Sequence, residues 1–544
     1  MAHAWKACWV HPLTSSNLVS SATSTRTHAI CTQYTRAQHE RALPSEGRVI
    51  DTEAPVAEAA VRADRVPGAR RAIALLAAAT AVLAFSAALG PSAAEPSLPG
   101  NGVFPPYTIE GLESATFGHV LAPSETVVTG LLTLGLALGA LGLLTAWRAL
   151  ERGWTPSPRR LLAASLLATA GLCLVPTIGS SDIVSYATYG RMATTGHDPY
   201  STTPETLARA GDPIALNVQA WLHASSIYGP LATAEQSLAS RIGGRSLRTT
   251  VVALTVINAL AFALTTVLLY AGSFTRAGRR RAMLLWGVNP LLLFELVSAG
   301  HVDALSTALV VAGVLALRRS ALAGGLLLGA AIDVKFSLGM VAVGLAVALW
   351  RRWRSLVALA VGIAAAVIPA YLLAGPHVFD QADTASSFVA HANVWQPIAL
   401  LAGGPGWRRV VTGLAWCAVV GLAVVLLRRQ RAFAAAEADV ALRAASAVAA
   451  VLAAYLLMSA YVLPWYDAPL WAMLALLPAS ALDRILLVHT GILAVAYLPG
   501  NSVALTSPAV RGAQFVVQRI LAPPVLAVLA FLTARRADVG QAGR

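Results

Sequence analysis

Residues Ser180–Pro230, SSDIVSYATYGRMATTGHDPYSTTPETLARAGDPIALNVQAWLHASSIYGP, form a polar segment between long apolar segments. The segment carries acidic and basic side chains, several tyrosines and a tryptophan. Unpaired charge within the hydrocarbon core of a bilayer costs several kcal/mol. This segment is therefore predicted to lie at a membrane face, and it is where we expect polar chemistry.

The composition of the whole chain indicates a polytopic membrane protein. Of its 544 residues, 57% are hydrophobic and only 12% are charged. The net charge of +14 comes from arginines in short clusters between apolar runs, which is typical of cytoplasmic loops under the positive-inside rule. The positive charge therefore indicates membrane topology and not a polyanionic partner. We expect membrane lipids as partners, because the chain is predicted to cross the membrane, and we expect no nucleic acid. The four cysteines show no CxxC or His-linked spacing, so we expect neither a disulfide framework nor a zinc site.

The arginine clusters also predict the topology. Arg70 and Arg71 precede an apolar run at 72–89, which places the start of this first span inside the cell. The third span, at 161–178, then brings the polar segment to the outer face. Continued in the same way, the pattern predicts an all-α membrane protein with about 14 transmembrane helices and a large extracytoplasmic loop after the third.

The domain organisation follows from these spans. We predict a transmembrane domain at 69–536, with a disordered cytoplasmic tail at 1–68 and a short cytoplasmic tail at 537–544. Both termini are then cytoplasmic. The apolar run 321–350 is interrupted at 333–336, which predicts two short helices whose tip points outward.

Asp182 directly follows the predicted third span. A carboxylate there can reach a substrate whose reactive end lies at headgroup level, and partial burial raises its pKa toward that of a general base. The alternative is a solvated residue that ends a helix and pairs with Arg191. The position of Asp182 in the sequence does not by itself favour a catalytic role over this structural role.

Three further polar residues lie in short predicted outer turns. His301 and Asp303, in the sequence GHVDA, can bind a phosphate or a divalent ion, or Asp303 can cap the following helix. Lys335 interrupts an apolar hairpin, and its ammonium group can either extend to the interface or hold a phosphate. Both alternatives stay open for each residue.

Aromatic and histidine residues mark two later outer turns. Trp465 and Tyr466 in LPWYDAP fit an interfacial aromatic belt, and the alternative is stacking on a sugar. A second loop contains His and Asp residues without any recognisable metal-ligand spacing, so we expect no metal site. These residues are His377, Asp380, Asp383 and His391.

Six motifs together resemble a known family. They are SSDIVSYATYGRM (180–192), HDPY (197–200), IYGPL (227–231), NPLLLFELVSAGHVDAL (289–305), AAIDVKFSLGM (330–340) and LPWYDAPLWAMLAL (463–476). In this order they resemble the polyprenyl-phosphate-mannose-dependent mannosyltransferases of the GT-C superfamily. The nearest resemblance is to the alpha-1,6-mannosyltransferases of mycobacterial and corynebacterial lipomannan synthesis.

The resemblance implies a multi-pass plasma-membrane enzyme that transfers mannose from polyprenyl-phosphate mannose to a lipid-anchored mannan acceptor at the outer face, with inversion. We expect no cofactor. The resemblance implies that Asp182 is the catalytic base. It also implies that the donor phosphate is bound by His301, Lys335 and Arg191. The residues expected to contact the acceptor or the sugar are Tyr186, Tyr189, Asp303, Trp465 and Tyr466.

Two other functions remain as alternatives. One is a transporter of lipid or polysaccharide, and the other is a GT-C enzyme that uses a different lipid-linked sugar. Transport predicts ionisable residues at mid-membrane on several spans, whereas the ionisable residues of this chain cluster at the predicted faces.

Overall fold

The computed structural model describes residues 66–96, 123–380, 387–402, 405–430, 437, 439–500 and 505–536. It is 76% helical, and no strand occurs among these residues. Eight helices are long and apolar enough to cross a membrane: Ala69–Ala88, Glu125–Glu151, Leu247–Gly272, Arg276–Ser298, Trp353–Ala374, Gly406–Arg429, Val440–Met458 and Pro508–Arg535. The predicted all-α, multi-pass membrane protein is confirmed.

The helices, numbered in chain order, are as follows. They are α1 Ala69–Ala88, α2 Glu125–Glu151, α3 Pro158–Leu172, α4 Asp182–Thr194, α5 Pro204–Arg209, α6 Pro230–Gly243, α7 Leu247–Gly272, α8 Arg276–Ala282, α9 Pro290–Leu292, α10 Asp303–Ala316, α11 Ala321–Val334, α12 Gly339–Leu349, α13 Trp353–Ala374, α14 Gln396–Ala402, α15 Pro405–Arg429, α16 Val440–Met458, α17 Ala468–Leu476, α18 Ala481–Ala496, α19 Pro508–Val516 and α20 Ala522–Arg536. Wider π turns occupy Met283–Gly287, Leu293–Ser298 and Val517–Leu521.

Several predicted spans are shorter than a bilayer requires. The predicted third span corresponds to α3, which ends at Leu172, and α17 has only nine residues. A helix needs roughly 20 residues to cross a bilayer, so 14 full-length spans are not observed among the described residues. The predicted tails lie at 1–65 and 537–544 outside these residues, and only 66–68 of the first tail are described.

The polar segment is folded rather than an open loop. It contains α4 and α5, and α6 begins at its last residue and packs against both α4 and α7. The backbones of α4 and α6 touch, because a Cβ atom added at Gly190 would collide with the carbonyl oxygen of Gln236. A buried hydrogen bond of 2.8 Å from Asn258 Nδ2 to Glu235 Oε1 fixes α6 on α7. These contacts hold α4 against α6, and α6 against α7.

The apolar hairpin has the predicted interruption. Helix α11 ends at Val334, Lys335 has an extended backbone with φ −148°, and α12 begins at Gly339. Two glycines one turn apart, Gly325 and Gly329, allow α11 to lie directly against α13. This close packing positions the tip that carries Lys335.

Candidate active site

Asp182 is the first residue of α4. Its Oδ1 accepts a hydrogen bond of 3.0 Å from the indole Nε1 of Trp221. Burial raises the pKa of Asp182 to about 6, while the bond from Trp221 and the charge of Lys335 lower it. A carboxyl group with this pKa is ionised for the most part at neutral pH and can still accept a proton, as a general base must.

Trp221 is held in an unusual backbone conformation. Its φ is +62°, in the left-handed region that bulky residues rarely adopt. Such strain costs about 1–3 kcal/mol and is concentrated at functional sites. The ring stacks on Phe388 with centroids 6.0 Å apart. The role of Trp221 was not predicted, because residue spacing carries no signal for a positive φ. The only indication in the sequence is the position of Trp221 in the polar segment.

Three predicted residues meet at a buried ion pair. The Nζ of Lys335 lies 2.7 Å from Asp303 Oδ1 and 3.3 Å from the ring centroid of Tyr466. The Lys335 and Asp303 side chains are 12% and 4% exposed. Asp303 is in the first turn of α10, as the capping alternative expects, but that helix has no side-chain cap and the carboxylate binds Lys335 instead. The ammonium group is thus held at one place by a carboxylate and an aromatic face.

A chain of aromatic groups connects this cluster to α4. Tyr228 Oη donates to Tyr186 Oη over 3.2 Å, and Tyr186 Oη lies 3.2 Å from His301 Nδ1. The His301 ring stacks on Trp465 with centroids 3.6 Å apart. Burial, together with the nearby Lys335 charge, holds the pKa of His301 well below its usual value. His301 is therefore neutral at physiological pH, so it supports the ring of Trp465 and supplies no positive charge for a phosphate.

A large apolar cavity lies on the Lys335 side of the cluster. Its volume is about 540 Å³. Its wall includes Phe336, Met340 and Trp416, together with Lys335 and Tyr466. An apolar cavity with one cationic end fits a lipid that carries a single anionic group.

A second cavity, of about 440 Å³, lies on the Asp182 side and has a more polar wall. Asp182, Trp221 and Trp465 line it. A small cavity of about 40 Å³ shares Asp182, Trp221 and Trp465 with this second cavity and Tyr228 and Tyr466 with the first. Asp182 therefore lies where two cavities of different chemical character approach each other.

Arg191 and Tyr189 are the two remaining residues that were predicted to contact the substrate. Arg191 Nε donates to Asp212 Oδ2 over 2.8 Å, and Arg191 lines none of the three cavities. Its pairing with Asp182 is not observed. Tyr189 lines the small cavity, and its Oη donates to the carbonyl oxygen of Ala224 over 3.1 Å.

A buried network supports the turn that carries Trp465 and Tyr466. Asp467 Oδ2 accepts a hydrogen bond of 2.6 Å from Thr490 Oγ1 and lies 2.8 Å from His489 Nδ1. Both residues belong to α18, so this network ties the turn to that helix. The motif LPWYDAP contains Asp467. The sequence does not indicate its partners His489 and Thr490, because they follow it by more than twenty residues.

The described residues contain no group of three His, Cys, Asp or Glu side chains arranged to hold a metal ion. His377 Nδ1 lies 2.6 Å from Asp380 Oδ2, and His391 is bound to Arg519 instead. Asp383 lies outside the described residues.

Residues 100–352 match the family model described as the alpha-(1->6)-mannopyranosyltransferase N-terminal domain. This part of the chain is therefore similar to the alpha-1,6-mannosyltransferase family. The match covers Asp182, His301, Asp303 and Lys335, and it ends before the turn that carries Trp465 and Tyr466. It supports a mannosyltransferase and confirms the predicted resemblance. No curated protein and no solved structure matches the chain.

Proposed function

We propose that this mannosyltransferase-family protein transfers mannose from polyprenyl-phosphate mannose to a lipid-anchored mannan acceptor and forms an alpha-1,6 linkage with inversion. The reaction takes place at the outer face of the plasma membrane, with both chain termini in the cytoplasm. Residues 69–536 form the catalytic membrane domain, between tails at 1–68 and 537–544. The observation that carries this proposal is the position of Asp182 between an apolar cavity with a cationic end and a more polar cavity.

The donor occupies the apolar cavity. Its polyprenyl chain lies along apolar residues such as Met340, and its phosphate lies near Lys335 and Tyr466. The ion pair with Asp303 holds the Lys335 ammonium group in place. The mannosyl group then points toward the small cavity, where Tyr186 and Tyr189 contact it.

The acceptor occupies the more polar cavity, with its 6-hydroxyl group at Asp182. The carboxylate removes the hydroxyl proton as the oxygen attacks the anomeric carbon from the face opposite the phosphate. The bond between the anomeric carbon and the phosphate oxygen breaks, and polyprenyl phosphate leaves with the electron pair. Lys335 stabilises the negative charge on the leaving group. Trp465 provides an apolar face against which a sugar ring stacks.

The test is an assay of full-length protein in lipid vesicles with labelled polyprenyl-phosphate mannose and a short alpha-mannoside. Asp182→Asn keeps the size of the side chain and its ability to contact Trp221, but it removes the base. General-base catalysis contributes about 10²–10⁴-fold, so we expect a loss of that size. The matched control is Asp198→Asn, in the same polar segment, where the carboxylate caps local backbone and lines no described cavity.

Three results contradict the proposal. Folded Asp182→Asn with full activity excludes this residue as the base. Transfer from a different lipid-linked sugar in preference to mannose excludes the donor. Movement of the lipid across the vesicle membrane without transfer of sugar by the wild type favours a transporter.

A further inference from the structure

Two aromatic residues line all three cavities of the candidate site. They are Phe388 and Tyr461, and their ring centroids are 5.7 Å apart. Of the residues that the structure describes, no other is shared by all three cavities. Because a residue shared by two cavities lies between them, this aromatic pair lies at the boundary between the apolar cavity and the more polar cavity. The proposed reaction gives neither residue a role.

The aromatic pair belongs to a longer row of rings. The ring of Phe388 stacks on that of Trp221, which is the hydrogen-bond donor to the proposed base. The ring of Tyr461 meets that of Tyr466 edge to face, with centroids 6.4 Å apart, and Tyr466 covers the ammonium group of Lys335. The row therefore extends from the partner of the base to the partner of the cationic group.

Hydrogen bonds between two chain segments hold the aromatic pair in place. The backbone N–H of Ala390 donates to the carbonyl oxygen of Ala460 over 2.9 Å. Asn393 Nδ2 donates to the carbonyl oxygen of Ser459 over 2.9 Å. The donors closely follow one ring in the sequence, and the acceptors closely precede the other. The two rings are therefore kept side by side by contacts that do not depend on a substrate.

A boundary at this place affects a competing reaction of the donor. A carboxylate that removes a proton from a sugar hydroxyl can also remove one from water. The water oxygen would then attack the anomeric carbon, the bond to the phosphate oxygen would break, and polyprenyl phosphate would leave with the electron pair. The products are free mannose and polyprenyl phosphate, so the donor is lost without transfer. Exclusion of water from an active site prevents such hydrolysis.

The aromatic pair is suited to exclude water. The small cavity that it lines, about 40 Å³ in volume, has room for only about three water molecules. A buried water molecule needs two to four polar partners, and the faces of the two rings supply none. Water therefore has few ways to enter the space between the donor and the base, whereas a sugar ring can stack on the aromatic faces.

We infer that Phe388 and Tyr461 keep water of the more polar cavity away from the anomeric carbon of the donor, so that the mannosyl group passes to a sugar hydroxyl and not to water. The inference rests on the proposed function. The two residues then determine the choice of acceptor, sugar or water, without taking part in proton transfer.

The test measures two products of the same active site. Full-length protein in lipid vesicles receives labelled polyprenyl-phosphate mannose, with and without a short alpha-mannoside, and both free mannose and the extended mannoside are counted. General-base assistance contributes about 10²–10⁴-fold, so the wild type without acceptor should release mannose at least about a hundredfold more slowly than it transfers mannose with acceptor. The ratio of the two products does not depend on the fraction of folded protein.

Tyr461→Ala and Phe388→Ala each remove one ring of the boundary. Water that reaches the base gains its assistance, so each variant should raise the ratio of free mannose to extended mannoside about tenfold or more. Tyr461→Phe keeps the ring and should keep the wild-type ratio. The matched control is Phe85→Ala, which removes an exposed ring of α1 that lines none of the three cavities, and its ratio should also be that of the wild type.

Three results overturn the inference. The first is an unchanged product ratio in both alanine variants. The second is a loss of both products together with a higher donor KM, which means that the rings bind the sugar and do not exclude water. The third needs no variant: a wild type that, without acceptor, releases mannose as fast as it transfers mannose with acceptor. In each case transfer to the mannoside by the wild type still supports the proposed function, whereas a wild type that forms neither product overturns both.

Discussion

The hydrogen bond from Trp221 to Asp182 makes a prediction about the pH dependence of transfer. Trp221→Phe removes the indole N–H and keeps an aromatic ring that can stack on Phe388. The bond stabilises the ionised carboxylate, so its loss should raise the pKa of Asp182 above about 6. The base must be deprotonated to act. The acidic limb of the kcat/KM profile should therefore move to higher pH in the variant.

The size of the shift follows from the strength of this bond. A hydrogen bond to a charged group contributes about 1.5–3 kcal/mol, and one pKa unit corresponds to about 1.4 kcal/mol. Trp221 is 42% exposed, so water replaces part of the lost bond in the variant. We therefore expect a rise of about half a unit to one unit, which lowers kcat/KM at pH 6 by about two- to sixfold and leaves the value near pH 8 almost unchanged.

The assay measures transfer to a neutral mannoside between pH 5 and pH 8.5. Trp395→Phe is the matched control, because its indole Nε1 donates to the carbonyl oxygen of Met458 and not to a carboxylate. Its profile should coincide with that of the wild type. A Trp221→Phe profile with an unchanged acidic limb refutes the reasoning, since it means either that Asp182 is not the base or that the indole does not stabilise its charge.

Two predictions concern stability. Asp303→Asn leaves the Lys335 ammonium group buried without its carboxylate, which should lower the free energy of unfolding by about 3–5 kcal/mol; a thermal midpoint in detergent equal to that of the wild type contradicts this. Gly190→Ala places a Cβ atom against the carbonyl oxygen of Gln236 and should lower the midpoint by separating α4 from α6. Gly171→Ala, whose Cβ atom meets nothing within 4 Å, is the control and should unfold at or above the wild-type temperature.

Sequence patterns were sufficient for the helical class. They predicted the interrupted hairpin at Lys335 because a charged residue within an apolar run marks a break. They did not predict which charges pair. Asp182 and Arg191 are nine residues apart in α4, about two and a half turns of an α-helix, and this places them on opposite faces. Once the polar segment is helical, Arg191 is directed to Asp212.

The predicted count of about 14 spans is not confirmed, for a related reason. Hydropathy identifies a segment that is apolar enough for lipid, but a short helix buried among other helices has the same composition. Helix α17 is an example: all but one of its nine residues are buried, and it is too short to cross a bilayer. Helix α10 is also short and is buried for the most part. The length of each helix in the folded chain distinguishes these short helices from membrane spans, whereas their amino-acid composition does not.

The contacts of Trp465 and Tyr466 bear on the extent of the catalytic unit. The family match ends at residue 352, yet the ring of Trp465 stacks on His301 and the ring of Tyr466 covers Lys335. Both aromatic residues lie beyond the match, and the Asp467 network fixes their turn on α18. The part of the chain that carries the proposed base, Asp182, and the cationic group of Lys335 therefore has an incomplete site by itself. The rings that cover its charged and polar residues come from the second half of the chain, and this is the physical reason for proposing that catalysis needs residues beyond the matched region.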